Sequence, residues 1–162
     1  MSWTDPRTWL AGEDPTAALL NIQLRDNLKA IGDPWTSYAP TWTSTGTAPA
    51  IGNGTITGKY MRAGKLVIGR FQLVMGSTTT YGTGSWLVGL PVAAAEGFPF
   101  AFGTVQCFDA SATLNHSRVL QSSGSTSALV AADAAGVRVT NLAPFTWTTS
   151  DRLAGIFSYE AA

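Results

Sequence analysis

The sequence predicts a mainly β protein: an antiparallel β-sandwich or jelly-roll-like domain, preceded by an extended N-terminal arm and one short α-helix. Three observations predict this fold. Only one segment, near the N-terminus, has apolar residues at helical spacing; short β-branched and aromatic runs follow it; glycine, threonine, serine and proline separate those runs. Because the composition changes near Gly32, we expect two regions, residues 1–33 and residues 34–162.

The arm comprises residues 1–13, which proline and glycine interrupt and which carry Trp3 and Trp9. These large apolar side chains gain free energy when they are buried, but a segment this short has no core of its own. We therefore expect Trp3 and Trp9 to anchor the chain to another surface.

One amphipathic helix follows the arm. Asp14 followed by Pro15 is typical of a helix start, and Gly32 is typical of a helix end. Such a short helix has only marginal stability on its own, since isolated helices below about 12–15 residues are barely populated in water. Its apolar stripe packs either on the chain's own β region or around a symmetry axis, as in a short coiled coil. The stripe consists of Ala17, Leu20, Leu24, Leu28 and Ile31.

Nine short runs after Trp35 are predicted strands. In the third of them, Val67, Phe71 and Leu73 share one face while Arg70 and Gln72 take the other, as in a strand with one buried face. The nine predicted strands are residues 38–43, 54–62, 65–75, 85–91, 98–108, 118–121, 127–131, 136–141 and 152–159.

The last predicted strand has apolar residues on both faces. Leu153 and Phe157 point one way, and Ile156 points the other. This pattern favours a central strand, or a strand whose outer face meets a neighbouring subunit.

The charge balance limits the classes of partner. Lys plus Arg and Asp plus Glu each number 10, so the chain lacks the basic excess of a nucleic-acid binder. Because only 12% of residues are charged and 45% are hydrophobic, we expect self-association. No apolar run reaches the roughly 18 residues of a membrane span, and no basic-then-apolar signal begins the chain. We expect neither membrane insertion nor secretion.

The residue types that carry catalysis do not cluster in the sequence. His116 is expected in a polar turn, without the second histidine or cysteine of a zinc site. No glycine pattern of a nucleophile elbow surrounds a serine, and the acids of the β region are scattered. Cys107 is expected to be a buried strand residue. The sequence therefore predicts a protein that is not an enzyme and has no cofactor or metal.

Several aromatic residues bear on carbohydrate binding, because exposed rings stack on sugars. Trp42 and Trp86 fall within strand alternations and are predicted to be core residues. Tyr81, in a loop of glycine and threonine, and Trp147, between two threonines, are predicted to be exposed and are our candidate sugar-binding residues.

Two parts of the chain resemble small virion proteins of tailed phages that infect actinobacteria. The N-terminal signature of that family is seen in residues 6–13, 17–21 and 24–28, which include the run Leu24-Arg25-Asp26-Asn27-Leu28. The β domain attached to the signature is seen in residues 38–43, 51–60, 64–65 and 71–92. The resemblance extends to about Ala95.

The resemblance implies a viral structural protein of a bacteriophage virion, of the minor tail, head-fibre or capsid-decoration type, attached to the particle by its N-terminus and without catalysis. Its expected partners are further copies of itself, in a homotrimer, and the phage major capsid or tail proteins. We expect it in the virion after synthesis in the host cytoplasm. The alternative is a carbohydrate-binding, receptor-recognising module at a tail-fibre tip, which would bind a host cell-surface glycan.

Overall fold

The computed structural model describes residues 4–96, 103–123 and 128–162, so Trp3 and parts of two predicted strands, residues 98–102 and Ser127, lie outside the described residues. The predicted mainly β fold with one short helical region is confirmed. The helical region contains α1 (Ala17–Leu20), a π-helical turn (Asn21–Arg25) and α2 (Asp26–Gly32). The strands are β1 Thr36–Tyr38, β2 Trp42–Ser44, β3 Thr55–Ala63, β4 Leu66–Val74, β5 Trp86–Gly89, β6 Gly103–Asp109, β7 Leu114–Ser122, β8 Ala128–Ala132 and β9 Arg152–Glu160.

These strands form a single antiparallel sheet in the order β1-β3-β4-β9-β6-β7-β8-β5-β2. Its two edge strands, β1 and β2, are separated in sequence only by residues 39–41. In a flat sheet, nine strands side by side would span about 38 Å, whereas the connection between β1 and β2 reaches about 14 Å at most. The sheet must therefore curl into a half-barrel, and the predicted division into a sandwich or jelly roll is not confirmed.

A long two-stranded ribbon contributes to the curvature of the sheet. The pairs β3–β4 and β2–β5 are joined by segments that remain paired, with a bridge from Ala50 to Thr80 and a hydrogen bond from Thr83 N–H to Thr47 O (3.0 Å). Gly82 has φ +58°, and a Cβ there would lie 2.1 Å from the Thr47 carbonyl oxygen, so the close approach requires glycine. The ribbon thus bends from one side of the half-barrel to the other.

The core lies on the concave face and contains the residues that alternation predicted. Trp42 and Trp86 are buried, with ring centroids 4.8 Å apart in an edge-to-face arrangement. Cys107 is fully buried on β6, as predicted, and burial raises the pKa of its thiol to about 12. The thiol is therefore a neutral packing group at physiological pH.

Two predicted strands differ from the structure. The predicted strand 38–43 is two strands, because the chain crosses from one sheet edge to the other between them and buries Pro40 there. The predicted strand 136–141 is a turn region that has only isolated bridges, such as Thr140 with Ala143.

The predicted position of His116 in a polar turn is wrong. Strand β7 begins four residues earlier than predicted, at Leu114, and His116 pairs with Cys107 within it. The turn lies at residues 110–113, where the Asp109 carboxylate accepts hydrogen bonds from the N–H groups of Ser111 (2.9 Å) and Ala112 (3.1 Å). Because the Asp109 side chain provides hydrogen-bond acceptors for the backbone N–H groups of this turn, the turn is short and strand β7 starts immediately after it.

Strand β9 lies inside the sheet, between β4 and β6, which agrees with the prediction of a central strand. Its inner face is buried through Leu153, Phe157 and Tyr159. On the outer face Ile156 is 62% exposed, so the described chain leaves this apolar side chain uncovered.

Candidate functional site

The arm lies along one face of the helical region and is held there by polar side chains. Asn27 makes two hydrogen bonds of 2.9 Å with the backbone of Thr4, accepting from its N–H and donating to its carbonyl oxygen. Gln23 Oε1 accepts from the Arg7 N–H (2.8 Å). Since Asn27 is only 6% exposed, these bonds are shielded from water, and the arm is fixed in a defined position.

The helical region begins later than the sequence predicted. The N-cap is Thr16, whose hydroxyl accepts from the Leu19 N–H (3.3 Å), rather than Asp14. The predicted end at Gly32 is confirmed. In the π-helical turn the Asp26 N–H donates to the carbonyl oxygen of Asn21, five residues earlier, which inserts extra chain into the middle of the helix.

The leucine stripe is exposed along its whole length. The arm covers the side that carries Gln23 and Asn27, and Ala30 is buried, so the covered face of the helix is not the leucine face. The stripe therefore does not pack on the described residues of the chain's own β region, which was one of the two alternatives that the sequence left open. The exposed fractions are 38% for Leu20, 55% for Leu24, 69% for Leu28 and 54% for Ile31.

Trp9 also remains accessible. Its ring is 40% exposed and lies under the guanidinium of Arg7, 4.9 Å from the ring centroid. Arg7 in turn pairs with Glu13 at 2.6 Å, and Leu10 between them is 72% exposed. The arm thus presents an indole and a leucine to the outside while its backbone is held on the helix.

The expected exposure of Trp147 is wrong, so it cannot act as a sugar platform. Trp147 is 2% exposed, its ring lies 4.8 Å from Trp86 and 4.5 Å from Phe145, and its N–H donates to the Thr140 carbonyl oxygen (2.9 Å). Tyr81 is half-buried and stacks on Trp86 at 6.4 Å, and burial raises the pKa of its phenol. Trp147 is part of the core and the partly exposed Tyr81 packs against it, so sugar binding by Tyr81 stays a prediction.

The polar residues considered for catalysis have structural contacts. The buried Asp151 carboxylate accepts from the N–H groups of Ala110 (2.8 Å) and Thr148, and so joins two turns. His116 is half-buried beside Phe145, with ring centroids 5.2 Å apart. In the described ranges no three His, Cys, Asp or Glu side chains form a group that could hold a metal ion.

A groove of about 880 Å³ crosses the outer face of β1, β3, β4, β9 and β6. The first row of residues across its floor is set by strand register: Lys59 pairs with Arg70, Arg70 with Ile156, and Ile156 with Thr104. The Arg70 guanidinium lies 5.9 Å from the ring centroid of Trp35, which follows the helix.

A second row runs parallel to the first, two residues along each strand. Thr57 pairs with Gln72, Gln72 with Ala154, and Ala154 with Gln106. The small methyl side chain of Ala154 lies between two glutamines in this row, and all four residues line the groove. Sequence reasoning placed Arg70 and Gln72 on the solvent face, but no sequence signal showed that this face carries a groove or which strands border it.

The chain matches no protein-family model, no curated protein and no solved structure. Within residues 4–96, 103–123 and 128–162, no helix has both the length and the hydropathy needed to cross a membrane.

Proposed function

We propose that this chain is a non-enzymatic structural subunit of a tailed-phage virion, a trimeric capsid-decoration, head-fibre or tail protein that attaches to the particle through its N-terminal arm. The observation that carries the proposal is the exposed stripe of Leu20, Leu24, Leu28 and Ile31. A row of large apolar side chains that the described part of the chain leaves uncovered is typical of an interaction surface.

Association of three copies along the helices would bury this stripe. Leucines at steps of four and three residues fit the seam of a short helical bundle, in which each helix covers the apolar face of its neighbours. The arm is held on a neighbouring side of the helix through Gln23 and Asn27, and it leaves the stripe itself exposed for such contacts.

Attachment to the particle is assigned to the arm. Trp9 and Leu10 are exposed, and their burial against a shell or sheath protein would contribute about 25 cal/mol per Å² before ordering costs. Three arms on one trimer act together, so the assembly would bind far more tightly than one arm alone.

We further propose that the half-barrel is a jelly-roll-like fold. The bent ribbon that joins the β3–β4 and β2–β5 pairs supports this proposal, since a long antiparallel ribbon folded over a common core is the organising feature of jelly rolls.

The attachment is tested by adding purified protein to particles that lack this gene product and measuring occupancy by sedimentation. Removal of residues 1–33 is expected to leave a folded β region that no longer binds. Trp9→Ala is expected to weaken occupancy without abolishing it, because Trp3 and Leu10 remain in each arm and the three arms of a trimer bind together. Trp35→Ala, which removes an equally exposed indole outside the arm (39% against 40%), is the control and should bind normally. Normal binding by the truncated protein would place the anchor in the β region and contradict the proposal.

A further inference from the structure

We propose that the groove on the outer face of β1, β3, β4, β9 and β6 binds a segment of an acidic glycan, one that carries carboxylate or phosphate groups. The groove belongs to a single chain, so this inference does not depend on trimer formation or on attachment to a particle. It is distinct from the sugar site that the sequence suggested at Tyr81 and Trp147.

The charge of the groove favours an anion. Lys59 and Arg70 are directly opposite each other on neighbouring strands, an arrangement of like charges that destabilises a sheet. Among the described residues that line the groove none is Asp or Glu, and in the described ranges neither cation lies within ion-pair distance of an acid. A bound carboxylate or phosphate would convert this repulsion into charge-assisted hydrogen bonds.

The uncharged row beside these cations suits hydroxyl groups. Amide side chains both donate and accept hydrogen bonds, as sugar hydroxyls do. The Gln106 amide is already oriented by donation from Nε2 to Ser117 Oγ (2.8 Å), which leaves its carbonyl oxygen as an acceptor toward a ligand. For the exposed Gln72 side chain, the described part of the chain supplies no hydrogen-bond partner.

The shape of the groove suits a chain of sugar rings rather than a small ion. It crosses five strands, a distance of about 19 Å at the usual strand spacing. Its floor includes Ile156, 62% exposed, against which the C–H face of a sugar ring can pack. An isolated phosphate or carboxylate would use only the Lys59–Arg70 end.

Nucleic acid fits the groove less well. Proteins that hold single strands stack bases on aromatic side chains. The two aromatic residues that line the groove, Tyr38 and Phe71, pack their rings against the core instead, and the chain as a whole has no net charge.

The test is isothermal titration calorimetry of the full-length protein with four polymers: polygalacturonate, phosphomannan, neutral dextran and single-stranded DNA. We expect binding to at least one of the two acidic glycan polymers, and which of them binds distinguishes a carboxylate from a phosphate ligand. Binding to dextran as tight as to either acidic polymer would overturn the acidic assignment. Equal or tighter binding to DNA would overturn the glycan assignment, and no binding to any polymer would overturn the site.

The double variant Lys59→Gln with Arg70→Gln is expected to bind the acidic polymer about tenfold more weakly or worse, since two charge-assisted contacts are lost. Arg152→Gln is the matched control, because Arg152 lies on the outer face of β9 but does not line the groove. Its affinity should stay near that of the parent protein, and a loss equal to that of the double variant would overturn the groove as the site. The double variant should unfold at no lower temperature, because a like-charge pair has been removed; if it does not fold, Lys59→Gln alone provides the same comparison with about half the effect in free energy.

Discussion

Trp147 and Trp9 differ strongly in how far the indole side chain is exposed to solvent. Trp147 is 2% exposed, packs between Trp86 and Phe145, and donates its indole N–H to the Thr140 carbonyl oxygen. Trp9 is 40% exposed and contacts the Arg7 guanidinium on the surface of the arm. The first indole is therefore expected to stabilise the fold, and the second to be available for a partner.

Trp147→Ala is expected to lower the free energy of unfolding by about 3–5 kcal/mol, the usual loss when a large aromatic side chain is removed from a core. Trp9→Ala should change it by no more than about 0.5 kcal/mol, as for other surface substitutions. Urea denaturation followed by circular dichroism measures both. A Trp147→Ala protein as stable as the parent would contradict the assignment of this ring to the core.

Sequence reasoning succeeded for side chains in regular alternation and failed for side chains in loops. Trp42 and Trp86 lie on strands, where every second residue faces the core, and their burial was predicted correctly. Trp147 lies outside any strand, so its burial depends on how the 133–151 region packs over the sheet, and no local pattern carries that information.

At the scale of elements, the helical region has two sides with different partners. Its polar side is covered by the arm through Gln23 and Asn27, and its leucine side is exposed. A short helix interrupted by a π-helical turn has little stability of its own, so a partner that covers the leucines would also stabilise the helix.

The double substitution Leu24→Gln with Leu28→Gln is expected to abolish association and give a folded monomer, because it removes the two most exposed leucines of the stripe. Ile22→Gln is the matched control: Ile22 is 44% exposed on the same helical region but lies off the stripe. Sedimentation velocity of the three proteins measures the effect. Equal association by the double variant and the parent would show that the stripe is not the interface.

The elements themselves were largely predictable, and their ends were less so. Strands β3, β4 and β9 were predicted within one residue at each end, because long alternating runs define them. The helix start was misplaced at Asp14 because Asp-Pro and the later Thr16 are both good caps, and only the backbone geometry decides between them.

At the scale of the whole molecule, pairing between distant segments decides which surfaces exist. The bent ribbon and the insertion of β9 between β4 and β6 bring together Lys59, Arg70, Ile156 and Thr104, which span nearly a hundred residues of sequence. Strand order cannot be read from local periodicity, so the groove could not be predicted, although the outward direction of Arg70 could.

Association of three copies through the helices is the central claim, and size-exclusion chromatography with multi-angle light scattering tests it most directly. The intact protein, measured at several concentrations, is expected to have three times the chain mass of 17.0 kDa. A molar mass of one chain at every concentration, or of two chains, would contradict the claim.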